Sequence, residues 1–442
     1  MRQNWLWENV AQFYQALMLF ILGVAALVST VQWLHNPLAR SIDPDEIVWV
    51  LDAAAFSWYI TGDIQEFKLT KTLTELKWVE QEYRVIDQPQ MGKYILGMAL
   101  TFRGLEPWMS PQKQELYEQF AYGSFSPDLK EKIDPEILAS INYLRQVSTY
   151  FSLAAFFLVG WLVYKETHQT WTGILIFILL TQNETIRLYY RLAIVNSYSF
   201  LAQAIAAGLL VTGLRIVSKA GYADVTKSWK QLLVFGAAAG FFVAVASSIK
   251  LDGVFLVLVP YMFLLLLGIS SLIRPRFDVL LGRYVVWLIG FTFSGLISFF
   301  LIEPELWNQP IQHTHLLISS RLAQQQRFLV HLEDLSVLEV MERWVQYVFK
   351  LAPVGQLLLV VVITICLLKI FSAFEKILRE GLEQIDAYEL LQKSALWLVV
   401  ISVWFGSLYC SRVGIDRYLI PAVVAFYTAV LVLAAQLRTA KT

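Results

Sequence analysis

Long apolar runs alternate with short charged ones along this chain. Ala237–Val245, Gly253–Ile269 and Leu357–Leu368 contain no charged residue. A helix needs about 20 mostly apolar residues to cross hydrocarbon about 30 Å thick. Segments of that kind fall near 12–34, 141–164, 170–186, 194–215, 231–249, 252–272, 284–302, 352–370, 395–411 and 418–437. The pattern predicts an all-α integral membrane protein of about ten transmembrane helices, the third interrupted by polar residues from Thr181 onward.

The connecting loops alternate in charge. One set carries Lys165; Arg215, Lys219, Lys227 and Lys230; Arg274, Arg276 and Arg283; Lys369, Lys376, Arg379 and Lys393; and Arg438 and Lys441. Cations collect on the cytoplasmic side of membrane proteins, so this set and both termini are assigned there. The chain then divides into the N-terminus and first span (1–34), a first outer loop (35–140), spans two to seven (141–302), a second outer loop (303–351), and spans eight to ten with the C-terminus (352–442). The first outer loop holds two apolar stretches too short to span, Ile47–Ile60 and Met91–Phe102. Both are expected to be helices lying in the membrane interface. A spanning helix over Met91–Leu105 would invert every later loop and place the basic ones outside, so it is rejected.

Composition narrows the function. The chain is 57% apolar and 16% charged, against roughly half and a quarter in soluble domains. With 35 Lys+Arg against 35 Asp+Glu, no net field points to nucleic acid or another polyanion. A soluble enzyme and a disordered chain are excluded as well.

Chemistry-bearing residues cluster in the outer segments. Asp43-Pro44-Asp45-Glu46 follows the first span. Pro and acidic residues suit the first turn of a helix. Carboxylates held at the lipid headgroups also suit catalysis. Asp43-x-Asp45 resembles the metal-holding pair of nucleotide-sugar transferases, but no glycine-rich nucleotide loop accompanies it. Further on comes Asp87-Gln88-Pro89-Gln90-Met91-Gly92-Lys93, whose Pro89 fits a helix start and whose Lys93 lies one turn in. Then follow Arg191-Leu192-Ala193-Ile194-Val195-Asn196-Ser197, Ser248-Ile249-Lys250-Leu251-Asp252-Gly253, Glu303-Pro304-Glu305-Leu306-Trp307 and Asp416-Arg417-Tyr418-Leu419-Ile420-Pro421.

In their order, these segments resemble the protein O-mannosyltransferase family. They also resemble the wider group of lipid-carrier-dependent glycosyltransferases of the GT-C fold, which includes aminoarabinose transferases. Asp45-Glu46 matches the Asp-Glu after the first span, and Asp87–Lys93 matches a proline motif. Gln88 and Gln90 stand where His and a second Pro are usual, and Asn196 where Asp is usual.

The resemblance implies inverting transfer of a sugar, such as mannose, from a polyprenyl-phosphate carrier to an extracytoplasmic hydroxyl on a protein, lipid or glycan. It implies Asp45 as general base, with Glu46 positioning it or contacting the acceptor. Lys250, Arg191, Lys93 and Arg417 are the candidates to receive the donor phosphate. Asp87, Gln88, Asn196, Trp307 and His313 are the candidates to contact substrate. No metal and no cofactor is expected, because a phosphate leaving group needs no paired acid of the glycosidase kind. His313 and His315 would supply only two ligands, too few for a metal site. A transporter or lipid flippase is the competing reading, although transporters usually place ionisable groups near the midplane. A catalytically inactive relative is another.

Overall fold

The computed structural model describes residues 2–35, 42–67, 89–105, 135–219, 225–273, 278–317, 319, 335–353, 355–365, 387–411 and 416–436. Among them every regular element is a helix, with one isolated β-bridge between Asn183 and Leu351. In chain order the helices are α1 (Arg2–His35), α2 (Pro44–Asp52), α3 (Ala55–Thr61), α4 (Gln90–Arg103), α5 (Pro135–Thr167), α6 (Thr170–Gln182) and α7 (Glu184–Tyr189). They continue with α8 (Asn196–Lys219), α9 (Val225–Ile249), α10 (Leu258–Ile273), α11 (Asp278–Ile302), α12 (Val337–Phe349), α13 (Ala387–Ser411) and α14 (Ile420–Gln436).

Among the described residues seven segments are long and apolar enough to cross a membrane: Gln12–His35, Pro135–Thr167, Asn196–Ser218, Trp229–Ile249, Leu280–Ile302, Lys393–Ser411 and Arg417–Ala435. The chain is a multi-pass membrane protein. At the remaining three expected spans the described residues hold apolar helical stretches of under 18 residues: Thr170–Gln182, Asp252–Gly268 and, up to the last described residue there, Gly355–Ile365. The first stops because Asn183 turns extended, and its side chain accepts the Ile186 N–H to start α7. The second opens on a 3-10 turn, Leu251–Val257, before α10 begins.

Small residues set the closest helix contact. A Cβ on Gly236 of α9 would lie 2.1 Å from the Trp287 carbonyl oxygen of α11, and one on Gly240 would lie 2.0 Å from that of Phe291. Without a hydrophobic drive between helices in lipid, such close backbone approach is a main source of cohesion.

A second, smaller core gathers beside the main bundle. Ile47 and Leu51 of α2, Leu96 and Leu100 of α4, Ile141 and Leu144 of α5, Val195, and Ile249 of α9 pack together. Helix α4 has 14 residues and buries Lys93, Tyr94, Leu96, Gly97 and Leu100. Of its large apolar side chains only Met98 and Phe102 are exposed. It is too short to span, as expected, but it is enclosed by protein more than a helix lying free on a lipid surface. Gly104 ends it with φ +72°, the left-handed turn that glycine takes without strain.

Candidate functional site

Two neighbouring acids on α2 go to different places. Asp43 caps the helix, its carboxylate accepting the Asp45 N–H at 2.9 Å. In return Glu46 Oε2 accepts the Asp43 N–H at 3.0 Å. Burial, and then the nearby Asp45 carboxylate, push the Asp43 carboxyl above its ordinary value. Glu46 points inward and is fully buried. Its Oε1 accepts from Arg145 Nε at 2.7 Å and from the Ala193 N–H at 2.8 Å. Its Oε2 accepts from Arg145 Nη2 at 2.5 Å. Four donors from α5, the 190–196 connection and the helix cap therefore occupy this carboxylate. Glu46 thereby ties α2 to α5 and to the 190–196 connection, with both carboxylate oxygens occupied.

Asp45 is two residues on from the cap, about 100° around the helix from Glu46. Its side chain is 41% exposed and pairs with Arg417 at the entry to α14. Arg417 in turn borders a pocket of about 220 Å³, open solvent included, lined also by Tyr190, Asn196, Ser199, Gln203, Lys250 and Asp252. Lys250 Nζ lies 3.2 Å from Asp252 Oδ2 and 3.4 Å from Asn196 Oδ1. Asp252 Oδ1 accepts from Gln203 Nε2 at 2.9 Å and faces Ser199 Oγ at 3.4 Å. The Tyr418 ring lies between the two cations, 4.5 Å from Lys250 Nζ and 5.7 Å from the Arg417 guanidinium carbon.

This arrangement can hold an anion. Two cations each lie near the Tyr418 ring and each has one carboxylate partner. An incoming phosphate oxygen could replace either carboxylate with little rearrangement, because preorganised cations need no reorientation. The backbone explains how Lys250 comes to be there. It is extended, with φ −156°, between the end of α9 and a 3-10 turn, so the side chain leaves the helix axis at the end of a span. Burial, with Asp252 nearby, pushes the Tyr190 phenol well above its ordinary value, so the hydroxyl stays neutral at the pocket wall.

Several expected residues lie elsewhere. Lys93 is buried on the first turn of α4 beside Glu305 rather than in the pocket. There Glu303 accepts the Gln90 N–H, with oxygens at 3.1 and 3.3 Å. Burial, then the mutual repulsion of the pair, pushes Glu303 well above the ordinary carboxylate range. Burial also raises Glu305, while Lys93 opposes that rise. Arg191 is buried, 5.9 Å from the Trp33 ring, and does not line the pocket. Burial and the neighbouring Arg187 lower it to about 10. His313 is buried with Nδ1 against the Glu305 carbonyl oxygen, a packing position. Trp307 donates its indole N–H to the Phe300 carbonyl at 2.7 Å, which ties the end of α11. Asp87 and Gln88 lie outside the described residues. Among the described residues no group of three or more His, Cys, Asp or Glu side chains could hold a metal.

The structure thus gathers Asp45, Asn196, Lys250 and Arg417, and adds Arg145, Gln203, Asp252 and Tyr418. Arg145 carried a readable signal: a lone cation inside an apolar segment needs a partner. Asp252 was weighed only as a counter-charge for Lys250. Gln203 and Tyr418 carry no such signal. Protein-family models, curated proteins and solved structures offer no match to the chain.

Proposed function

We propose that the chain is an integral-membrane glycosyltransferase of about ten spans and GT-C type, in which the three shorter apolar helices also cross. It moves a sugar from a polyprenyl-phosphate carrier to an acceptor hydroxyl at the extracytoplasmic face, in a bacterial plasma membrane. The observation that carries this reading is that Asn196, Lys250 and Arg417 line one pocket, and that Arg417 also pairs with Asp45, 372 positions away in the sequence.

Asp45 takes the acceptor proton. The acceptor oxygen bonds the anomeric carbon as the bond to the phosphate oxygen breaks, and polyprenyl phosphate leaves with its electron pair. Attack opposite the phosphate inverts the anomeric centre. Lys250 and Arg417 receive the phosphate charge. Arg417 touches both the base and the phosphate position, so it aligns the two. Asn196, hydrogen-bonded to Lys250, is placed to meet the sugar. A base of this kind must come within about 3 Å of the hydroxyl it deprotonates. The partly exposed Asp45 leaves room for that approach; the enclosed Glu46 does not.

Mass spectrometry of lipids co-purifying with the wild type and with Asp45→Asn tests the proposal. A polyprenyl-phosphate sugar enriched on Asp45→Asn, and lost on Lys250→Gln, is the expected result. No such lipid on any variant, even after adding synthetic donors, overturns the reading and favours a transporter.

A further inference from the structure

Helix α12 lies in the second outer loop and contains no residue given a role above. Its start is fixed by a capping box: Ser336 Oγ accepts the Glu339 N–H at 3.3 Å and Glu339 Oε2 accepts the Ser336 N–H at 2.7 Å. At about 100° per residue, its side chains fall into three arcs. Glu339, Glu342, Arg343 and Gln346 share one. Val340, Trp344, Tyr347 and Val348 share the second and turn toward the protein. Leu338, Met341, Val345 and Phe349 share the third.

The second arc is occupied. Val340 packs with Leu335 and Leu419, and the Trp344 ring meets Trp404 at 5.9 Å and Phe426 at 5.4 Å. Tyr427 donates its hydroxyl to the Val348 carbonyl at 2.6 Å. The third arc is open: Leu338 is 82% exposed, and Val345 and Phe349 are exposed too. A helix polar on one side and apolar on two, one of the two unpartnered, fits a boundary between water, protein and hydrocarbon.

Its neighbours set the level of that boundary. Helix α12 begins beside Leu408 and Leu419. These lie close to where one spanning segment ends, at Ser411, and the next begins, at Arg417. It finishes beside Trp404 and Tyr427. From Leu419 to Tyr427 is about 12 Å along a helix, at 1.5 Å per residue. Val340 to Val348 advances as far along α12 as Leu419 to Tyr427 does along its neighbour, so α12 enters at one membrane face and runs inward beside α14. Trp344 and Tyr347 are of the residue types that settle near a membrane face.

We propose that α12 is a re-entrant membrane helix whose Leu338, Met341, Val345 and Phe349 rest against lipid acyl chains. Glu339 and Glu342 balance Arg343 and the following Lys350, so the contact is apolar and needs no anionic headgroup. The inference rests on the spanning helices alone and holds whatever reaction the pocket performs.

The test uses the full chain reconstituted in vesicles, with Cys366 and Cys410 replaced by Ser. Single variants Leu338→Cys, Val345→Cys, Phe349→Cys and Gln346→Cys carry a fluorescent label. Quenching by dibrominated phosphatidylcholine is expected at positions 338, 345 and 349, increasing in that order, and is expected to be weak at 346. Aqueous iodide should give the reverse ranking. The same ranking is expected in neutral vesicles and in vesicles containing phosphatidylglycerol. Equal iodide access at all four positions overturns the proposal, because the arc then faces water. Shielding of 338, 345 and 349 from both quenchers overturns it too, because a second protein then covers the arc.

Discussion

Asp45 and Glu46 are adjacent in the chain and opposite in circumstance. Glu46 gives every lone-pair direction to a donor inside protein, and Arg145 meets it with both arms of the guanidinium. Asp45 keeps one cation, Arg417, and 41% of its side-chain surface. The first is what a carboxylate must do to remain charged where water is absent. The second is what a carboxylate must do to exchange partners. One helix supplies both because residues one apart diverge by about 100°. The buried acid holds the frame, and under the proposed reaction its neighbour takes the acceptor proton, so alteration of the two should separate stability from activity.

The largest effect is expected at the enclosed acid. Glu46→Ala leaves the buried Arg145 guanidinium and the Ala193 N–H without their acceptor. Breaking a buried pair in this way costs about 3–5 kcal/mol. A large drop in the thermal midpoint in detergent is expected, with loss of the monodisperse species on gel filtration. The double variant Glu46→Leu/Arg145→Leu should recover part of that loss, because no buried charge remains. A midpoint for Glu46→Ala equal to wild type would show that water reaches this carboxylate.

A smaller, pH-dependent effect is expected at Glu303. Burial raises this carboxyl and its neighbour Glu305 above the ordinary value of 4.5. An acid raised in the folded state holds a proton that the unfolded chain has already released, so the folded state loses ground as pH rises above 4.5. Lys93, Gln90 and Tyr94 face the pair, and Lys93 moderates Glu305. Glu303→Gln keeps an oxygen for the Gln90 N–H and removes the titration. Thermal midpoints taken from pH 5 to pH 8 should decline for the wild type and decline less for Glu303→Gln. Parallel slopes would show that the pair is already solvated.

The sequence made some of this legible and concealed the rest. Apolar runs place the spans well, because about 20 apolar residues in a row have few other fates in a folded protein. They fail where a polar residue ends a helix early, as Asn183 does, since hydropathy averages over a cap. Asp45, Lys250 and Arg417 stand at the ends of apolar runs, where a charge is conspicuous, and all three meet. Lys93 and Arg191 looked equivalent to them, yet they are enclosed elsewhere. Nothing local distinguishes a lysine facing a pocket from one facing Glu305, since that depends on Glu305, 212 positions away in the sequence. Membrane helices that do not span were expected only in the first outer loop. Helix α12 escaped because its apolar residues are divided between two arcs, and neither arc makes a run.

The smallest effect on stability is expected at the open acid. Exposed or half-exposed pairs contribute about 0–1 kcal/mol, so Asp45→Asn should keep its thermal midpoint close to wild type. Arg417 then retains the Tyr418 face and the open side of the pocket, so no charge is stranded. The salt response sharpens the point. At physiological ionic strength the screening length is about 8 Å, and a partly exposed pair is weakened while the Glu46–Arg145 pair is not. Raising salt from 0.05 to about 0.5 M should therefore shrink the small midpoint difference between wild type and Asp45→Asn, and leave the large one for Glu46→Ala intact. An Asp45→Asn loss as large as that of Glu46→Ala, indifferent to salt, would make Asp45 a second member of the frame. The base would then have to be sought among the other carboxylates of the pocket, beginning with Asp252.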